Sequence, residues 1–319
     1  ELSFELEGES SFRSTVAGQI DTSEYLAYSL VICVCVVLPV KIRTMALSSP
    51  SSSSSSPPGK KKSFAILVTG SPFPEVVKKH GDFTQRFLGL LSESEREERG
   101  RERGEEWDAF RVFEGESHGD LSKYDGIVVT GSKFDAHAQD QWILDLIGEI
   151  RACHEREQRI LGVCFGHQIV ARALGGKVER SQNGWSLGAN EIAFDVDKVN
   201  KLCGRLSDAL RDDDEDGCEK IAIHQVHQDE VIELPPGAQV IASSPECENE
   251  AFLVGSHIMG VQGHPEFDND MVRDIIDLKK ANGMEESITE EGLAQLKEHA
   301  LDRSTSQKWG TICRDFLKK

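Results

Sequence analysis

The stretch Arg159-Ile-Leu-Gly-Val-Cys-Phe-Gly-His-Gln168 carries the residues best suited to covalent chemistry. An apolar run from Ile160 to Val163 leads into Gly162-x-Cys164-x-Gly166, and a helical pattern follows from Gly166 to Leu174. A strand turning sharply into a helix around Gly-x-nucleophile-x-Gly forms an elbow that exposes the central side chain at the tip of a sheet. Side chains in place of its two glycines would crowd the neighbouring elements. The turn also sets the sulfur at a helix N-terminus, whose partial positive charge favours the reactive thiolate.

A thiol nucleophile needs a base, and the base needs a group to hold it. Ile258-Met-Gly-Val-Gln-Gly-His-Pro-Glu266 supplies both at a strand end. His264 can take the thiol proton and later pass one to a departing amine. Glu266, two residues on, can share the turn and hold the imidazole. Among the ten histidines, His167 adjoins the elbow, but the helix should turn its ring away from the sulfur. His224, His227 and His257 each lack a carboxylate in a comparable turn. A lone cysteine or a lone strand-end histidine is ordinarily structural; the combination points to nucleophilic catalysis.

Such residues must be brought together by a scaffold. Phe64 to Val68, Trp107 to Phe113, Gly126 to Val129 and Ile160 to Val163 read as strands. Pro74 to Leu91 and Gln141 to Ile150 carry helical apolar spacing. Further strands are expected at Glu191 to Phe194, Ile221 to His224, Gln239 to Ala242, Ala251 to Val254 and Ile258 to Gln262. Helices are expected over Asn269 to Lys280, Thr289 to Leu301 and Gln307 to Leu317. Alternating strands and helices predict a largely parallel sheet covered on both faces, with the later strands as a mixed extension. Ligands in such folds bind at the carboxyl ends of the strands, here just after Val129, Val163 and Gln262.

The chain of 319 residues carries a net charge of −19, which opposes binding to nucleic acid. Its eight cysteines are scattered without a CxxC spacing, so neither a zinc site nor a disulfide framework is indicated, and a reducing compartment suits them. Tyr25 to Val40 is apolar but shorter than the roughly 20 residues of a membrane helix, and the acidic stretch before it does not suit a signal peptide. A short anchor is one reading of it. The preferred one takes Met45 as the natural start, with residues 1–44 translated from upstream sequence. Residues 1–61, including the Ser/Pro-rich stretch Ser48 to Pro58, are then a non-native or unstructured lead to a catalytic domain over 62–319. Ser92 to Glu106, almost wholly charged, reads as a solvated insertion loop or an exposed helical extension.

Taken in order, Val129-Thr-Gly-Ser132, Gly162-Val-Cys-Phe-Gly-His-Gln168 and Gln262-Gly-His-Pro-Glu266 resemble the anchor segments of the class I glutamine amidotransferase domain. Tyr124-Asp-Gly-Ile-Val-Val-Thr-Gly-Ser132, His227-Gln-Asp-Glu-Val231 and Gln307-Lys-Trp-Gly-Thr-Ile-Cys-Arg-Asp-Phe-Leu317 look like the plant γ-glutamyl peptidases, which act on glutathione and its conjugates. The resemblance implies a flavodoxin-like α/β fold and a Cys164, His264, Glu266 triad. It implies an oxyanion hole from the backbone N–H groups of Phe165 and of the Gly131-Ser132 turn. It also implies that Gln168, His227 and Asp229 line a γ-glutamyl pocket. Lys133 stands where the family usually has proline, and Val226 where glutaminase relatives often offer a hydroxyl.

The activity so implied is hydrolysis of a γ-glutamyl amide through a γ-glutamyl thioester, without metal or organic cofactor, in the cytosol, on a small γ-glutamyl peptide or glutathione conjugate. One alternative is a glutaminase delivering ammonia to a separate synthetase, since no stretch of the chain reads as a synthetase domain. Another is a non-catalytic binding protein on the same fold. Leaving-group preference and oligomeric state are not legible.

Overall fold

The computed structural model of the chain describes residues 61–92, 104–203 and 218–318. The expected lead through residue 60 and most of the charged run from Ser92 to Glu106 lie outside them. No helix among the described residues is long and apolar enough to cross a membrane.

The strands, numbered in chain order, are β1 (Ser63–Val68), β2 (Glu106–Arg111), β3 (Gly126–Val129), β4 (Arg159–Val163), β5 (Lys177–Arg180), β6 (Ser186–Asp195), β7 (Cys218–His227), β8 (Asp229–Glu233), β9 (Ala238–Ser243), β10 (Ala251–Val254) and β11 (Ile258–Val261). Nine of them form one sheet in the order β2-β1-β3-β4-β11-β10-β9-β6-β7, and β5 pairs with β8. From β2 to β11 the neighbours run parallel. From β11 to β7 they alternate in direction. The mixed extension expected from the later strands is therefore present.

Alternation along β1 shows why the parallel half is buried on both sides. Phe64, Ile66 and Val68 face one layer, with Phe87, Met271, Ile275, Trp309 and Phe316. Ala65 and Leu67 face the other, with Ile143, Ile147, Ile169 and Val170. Each such side chain taken from water contributes about 1.5–3 kcal/mol. The first layer uses α1 (Pro74–His80), α2 (Phe83–Leu91), α6 (Asn269–Ala281), α7 (Glu286–Glu298) and α8 (Arg303–Lys318). The second uses α3 (Gln141–Glu155) and α4 (Phe165–Ala173). A further short helix, α5 (Val196–Cys203), follows β6.

The single helix expected over Pro74 to Leu91 is two. Gly81 breaks it with φ 85°, and Asp82 starts α2 with a capping box in which its carboxylate accepts from the Gln85 backbone N–H. The charged strands Lys-Val-Glu-Arg (β5) and Asp-Glu-Val-Ile-Glu (β8) gave no apolar signal, yet they pair because Val178 and Val231 bury against each other. In the motif Gln307 to Leu317, Trp309 is fully buried and donates from Nε1 to Ala222 O at 2.9 Å, so this stretch docks α8 onto β7.

Candidate active site

Three parallel strands end side by side, with Val129 opposite Gly162 and Val163 opposite Val261. The segments that follow β3, β4 and β11 therefore emerge on one edge, carrying Gly131, Cys164 and His264. This is the carboxyl edge to which the sequence pointed.

Cys164 sits between β4 and α4 with φ 53° and ψ −104°, a left-handed conformation that costs a non-glycine residue about 1–3 kcal/mol. Its neighbours hold it there. The Cys164 N–H donates to Val261 O at 2.9 Å, and the Gly166 N–H to Thr130 O at 3.1 Å. A Cβ on Gly162 would lie 2.5 Å from Gly166 O, and one on Gly166 would lie 2.1 Å from Val129 O. Both obstacles are backbone, so the spacing Gly-x-Cys-x-Gly is a requirement of how closely β4, α4 and β3 approach.

Behind the sulfur stands His264. Its Nδ1 is 2.8 Å from Glu266 Oε1, and the Cys164 side chain is near enough for its charge to act on the ring. Both His264 and Glu266 are buried. The ring lies flat on Phe267, with centroids 4.1 Å apart and planes 4° from parallel. Its backbone N–H donates to His224 O at 2.8 Å. Burial alone would lower the His264 pKa, but the charges of Glu266 and Cys164 outweigh it and raise it to about 10. The imidazole is thus held as a cation across the neutral range.

No other histidine considered is placed this way. His167 is fully buried against Phe252, and burial pushes it down to about 3. His224 Nε2 bonds Asn269 Oδ1 at 2.9 Å, and its pKa is lowered by burial. His257 stacks on His154, with facing ring nitrogens 2.9 Å apart.

Gly131 passes directly beside the pair: a Cβ there would meet His264 Cε1 at 2.7 Å and the Cys164 Cβ at 3.7 Å. Ser132 Oγ donates to Thr69 O at 2.8 Å and accepts from the Phe134 N–H at 3.1 Å, which pins the turn. Phe165 opens α4, where a helix leaves its backbone N–H without an internal acceptor. Lys133 lies with its Nζ 5.9 Å from the centroid of the Phe134 ring.

Gln168, His227 and Asp229 cluster on the next shelf. Gln168 Nε2 donates to Asp229 O at 2.8 Å and to Gln262 Oε1 at 3.2 Å. His227 Nδ1 is 3.0 Å from Asp229 O, and burial pushes this imidazole down to about 4. Its Nε2 is buried without a hydrogen-bond partner among the described residues. The Asp229 carboxylate pairs with Arg180 Nε at 2.6 Å. Burial raises the Asp229 pKa, and Arg180 works against that rise.

Three supporting residues escaped the sequence reading. Phe267 follows the His-Pro-Glu motif directly, and its position was the available signal. Arg86, on α2, donates from Nε to Glu266 O at 2.9 Å and pairs with Asp268 at 2.9 Å. Arg180 reaches Asp229 through the register of β5 on β8, which pairs these two residues, and no local pattern announces it.

A family model described as glutamine amidotransferase class-I matches residues 97–273. The chain belongs to the class-I glutamine amidotransferase family. Gamma-glutamyl peptidase 2 of Arabidopsis thaliana is 37% identical over 256 residues, covering 79% of this chain and 94% of that protein. Gamma-glutamyl peptidase 5 of the same plant is 34% identical over 262 residues, covering 81% and 96%. A crystal structure of a glutamine amidotransferase from Thermotoga maritima matches with a TM-score of 0.58 at 18% identity, over 81% of this chain and 97% of that one. That last likeness is one of fold.

Proposed function

We propose that the chain is a γ-glutamyl peptidase that hydrolyses the γ-glutamyl amide bond of glutathione or its conjugates, with Cys164 as nucleophile, His264 as acid and base, and Glu266 as its orienter. The observation that carries this reading is the line of contacts from Cys164 through His264 to Glu266, on a strained elbow at the carboxyl edge of the sheet. The names of the Arabidopsis relatives support the substrate class.

In this mechanism the sulfur, its proton already on His264, attacks the γ-carbonyl carbon. The carbonyl oxygen gains negative charge, which the N–H groups of Phe165 and the Gly131-Ser132 turn stabilise; one such donor is worth roughly 2.7–4 kcal/mol. The C–N bond breaks as His264 gives its proton to the leaving nitrogen. Water, losing a proton to His264, then attacks the thioester carbon. The C–S bond breaks and glutamate departs. Gln168, His227 and Asp229 grip the glutamyl end.

The test is product analysis with glutamine, glutathione and an S-substituted glutathione, on wild type and Cys164→Ala. Release of glutamate from the two peptides, lowered at least about 10⁴-fold in the alanine variant with its fold intact, is expected. Turnover that survives in Cys164→Ala refutes the mechanism. Ammonia release from glutamine alone shifts the reading to a glutaminase serving a separate synthetase.

A further inference from the structure

Lys279 is a partly buried cation that the proposed triad does not use. It stands on α6 with Nζ 3.9 Å from the ring centroid of Trp185, the residue just before β6. Other lysines of this region reach carboxylates: Lys79 pairs with Asp274 at 2.7 Å, and Lys280 with Glu286 at 2.6 Å. No carboxylate among the described residues acts on Lys279. Burial lowers its pKa to about 8, and the one charge opposing that is Cys164. A lysine held over an aromatic face without a counter-ion has given up hydration, and an arriving anion would offset that cost.

A γ-glutamyl peptide brings two carboxylates, one on the glutamyl residue and one at the C-terminus of the peptide that leaves. The glutamyl-side cluster at Asp229 has its own cation, Arg180, and Lys279 is not among the charges that act on it. Trp185 directly precedes Ser186, which pairs with His227 across β6 and β7, so the ring and the ammonium over it stand beside the site, where the Lys279 and Cys164 charges act on each other. A two-residue leaving peptide extends about 7 Å, so its end falls within reach of a long, flexible ammonium. Trp185 also borders a cleft whose charged walls, Glu246 and Glu291, are both acidic.

We propose that Lys279, held over Trp185, binds the C-terminal carboxylate of the leaving peptide and so makes the enzyme select γ-glutamyl peptides with a free C-terminus over carboxamide-capped ones and over glutamine. This rests on the γ-glutamyl peptidase reading. Lys279 is then a specificity-determining residue, outside the bond-breaking machinery.

The experiment measures kcat/KM of the full chain, as wild type, Lys279→Met and Lys279→Arg, on glutathione, on glutathione with its glycine carboxylate converted to a carboxamide, and on glutamine. Wild type should prefer the free acid over the carboxamide by about tenfold, the worth of one charged hydrogen bond. Lys279→Met should collapse that ratio towards one, chiefly through KM on the free acid, and Lys279→Arg should keep most of it. Because the readout is a ratio within one protein, a partly misfolded preparation does not distort it. Equal wild-type rates on acid and carboxamide overturn the proposal. So does a Lys279→Met variant that loses activity equally on both, which would make Lys279 a support for the charge on Cys164. A wild type that cleaves neither peptide defeats the peptidase reading itself, and the selection by Lys279 with it.

Discussion

Replacing Glu266 by glutamine isolates the charge behind the imidazole. Oε1 lies 2.8 Å from His264 Nδ1, and the carboxylate is fully enclosed. Opposite charges about 4 Å apart attract by about 4 kcal/mol at an effective dielectric near 20, and one pKa unit is about 1.4 kcal/mol. The carboxylate charge is therefore worth about three units to His264. That agrees with a rise from 6.5 to about 10 in which burial pulls down while Glu266 and Cys164 pull up. Glutamine keeps the shape and can still accept a hydrogen bond, but it carries no charge. Without that charge the imidazole should fall by about three units, since burial and the Cys164 charge then work against each other with little net effect.

The proposed mechanism needs the proton on His264 for the leaving nitrogen, and the group holds that proton below its pKa. The alkaline limb of kcat/KM should thus lie near pH 10 in wild type and about three units lower in Glu266→Gln. Steady-state rates across pH on a γ-glutamyl peptide read the shift. An alkaline limb that moves by less than about one unit would refute the assignment of the raised pKa to the Glu266 charge.

The same raised value makes a statement about stability. A group raised in the fold stabilises fully below its unfolded pKa of 6.5, and that contribution is lost as pH rises through about 10. Thermal melts across this window should fall more steeply for wild type than for Glu266→Gln; parallel curves would count against it. Gly166→Ala sets a methyl 2.1 Å from Val129 O, a backbone atom, so it should destabilise by roughly 1–3 kcal/mol or more in a denaturant titration. Trp309→Phe leaves Ala222 O without its donor and should cost about 1–3 kcal/mol in the same titration, with KM unaltered because α8 only docks on β7 there. Arg180→Met should raise KM for γ-glutamyl peptides, since the buried Asp229 carboxyl loses the charge that opposes its protonation; an unaltered KM would remove Asp229 from the glutamyl subsite.

What the sequence made legible is what a few consecutive residues encode. The elbow is local: two glycines, a cysteine, an apolar strand before it and a helix after. The close approaches at Gly162 and Gly166 leave no other residue type there, so the pattern is forced by geometry and can be read back from it. The partnership of His264 with Glu266 is local too, two residues in one turn. Parallel strands β1, β3, β4 and β11 declared themselves through apolar runs because both their faces are covered. By contrast the only apolar side chains β5 and β8 bury are Val178 and Val231, and their charged remainder, the buried Asp229 included, reads as loop.

Contacts that depend on register or on helix placement leave no local trace. Arg180 meets Asp229 only because β5 runs antiparallel to β8 in one particular alignment, and a one-residue slip would turn both side chains to the other face. Lys279 meets Trp185 across a separation of more than ninety positions, through the docking of α6 beside the start of β6. Its neighbour in sequence, Lys280, is an ordinary surface lysine paired with Glu286. From composition the two are indistinguishable. Helical geometry separates them, because consecutive residues on a helix point about 100° apart, so one ammonium turns to Glu286 at the surface while the other turns over the Trp185 ring. The groups that define an elbow are therefore visible in sequence, whereas those proposed to tell one γ-glutamyl substrate from another arise from how distant elements are laid against it.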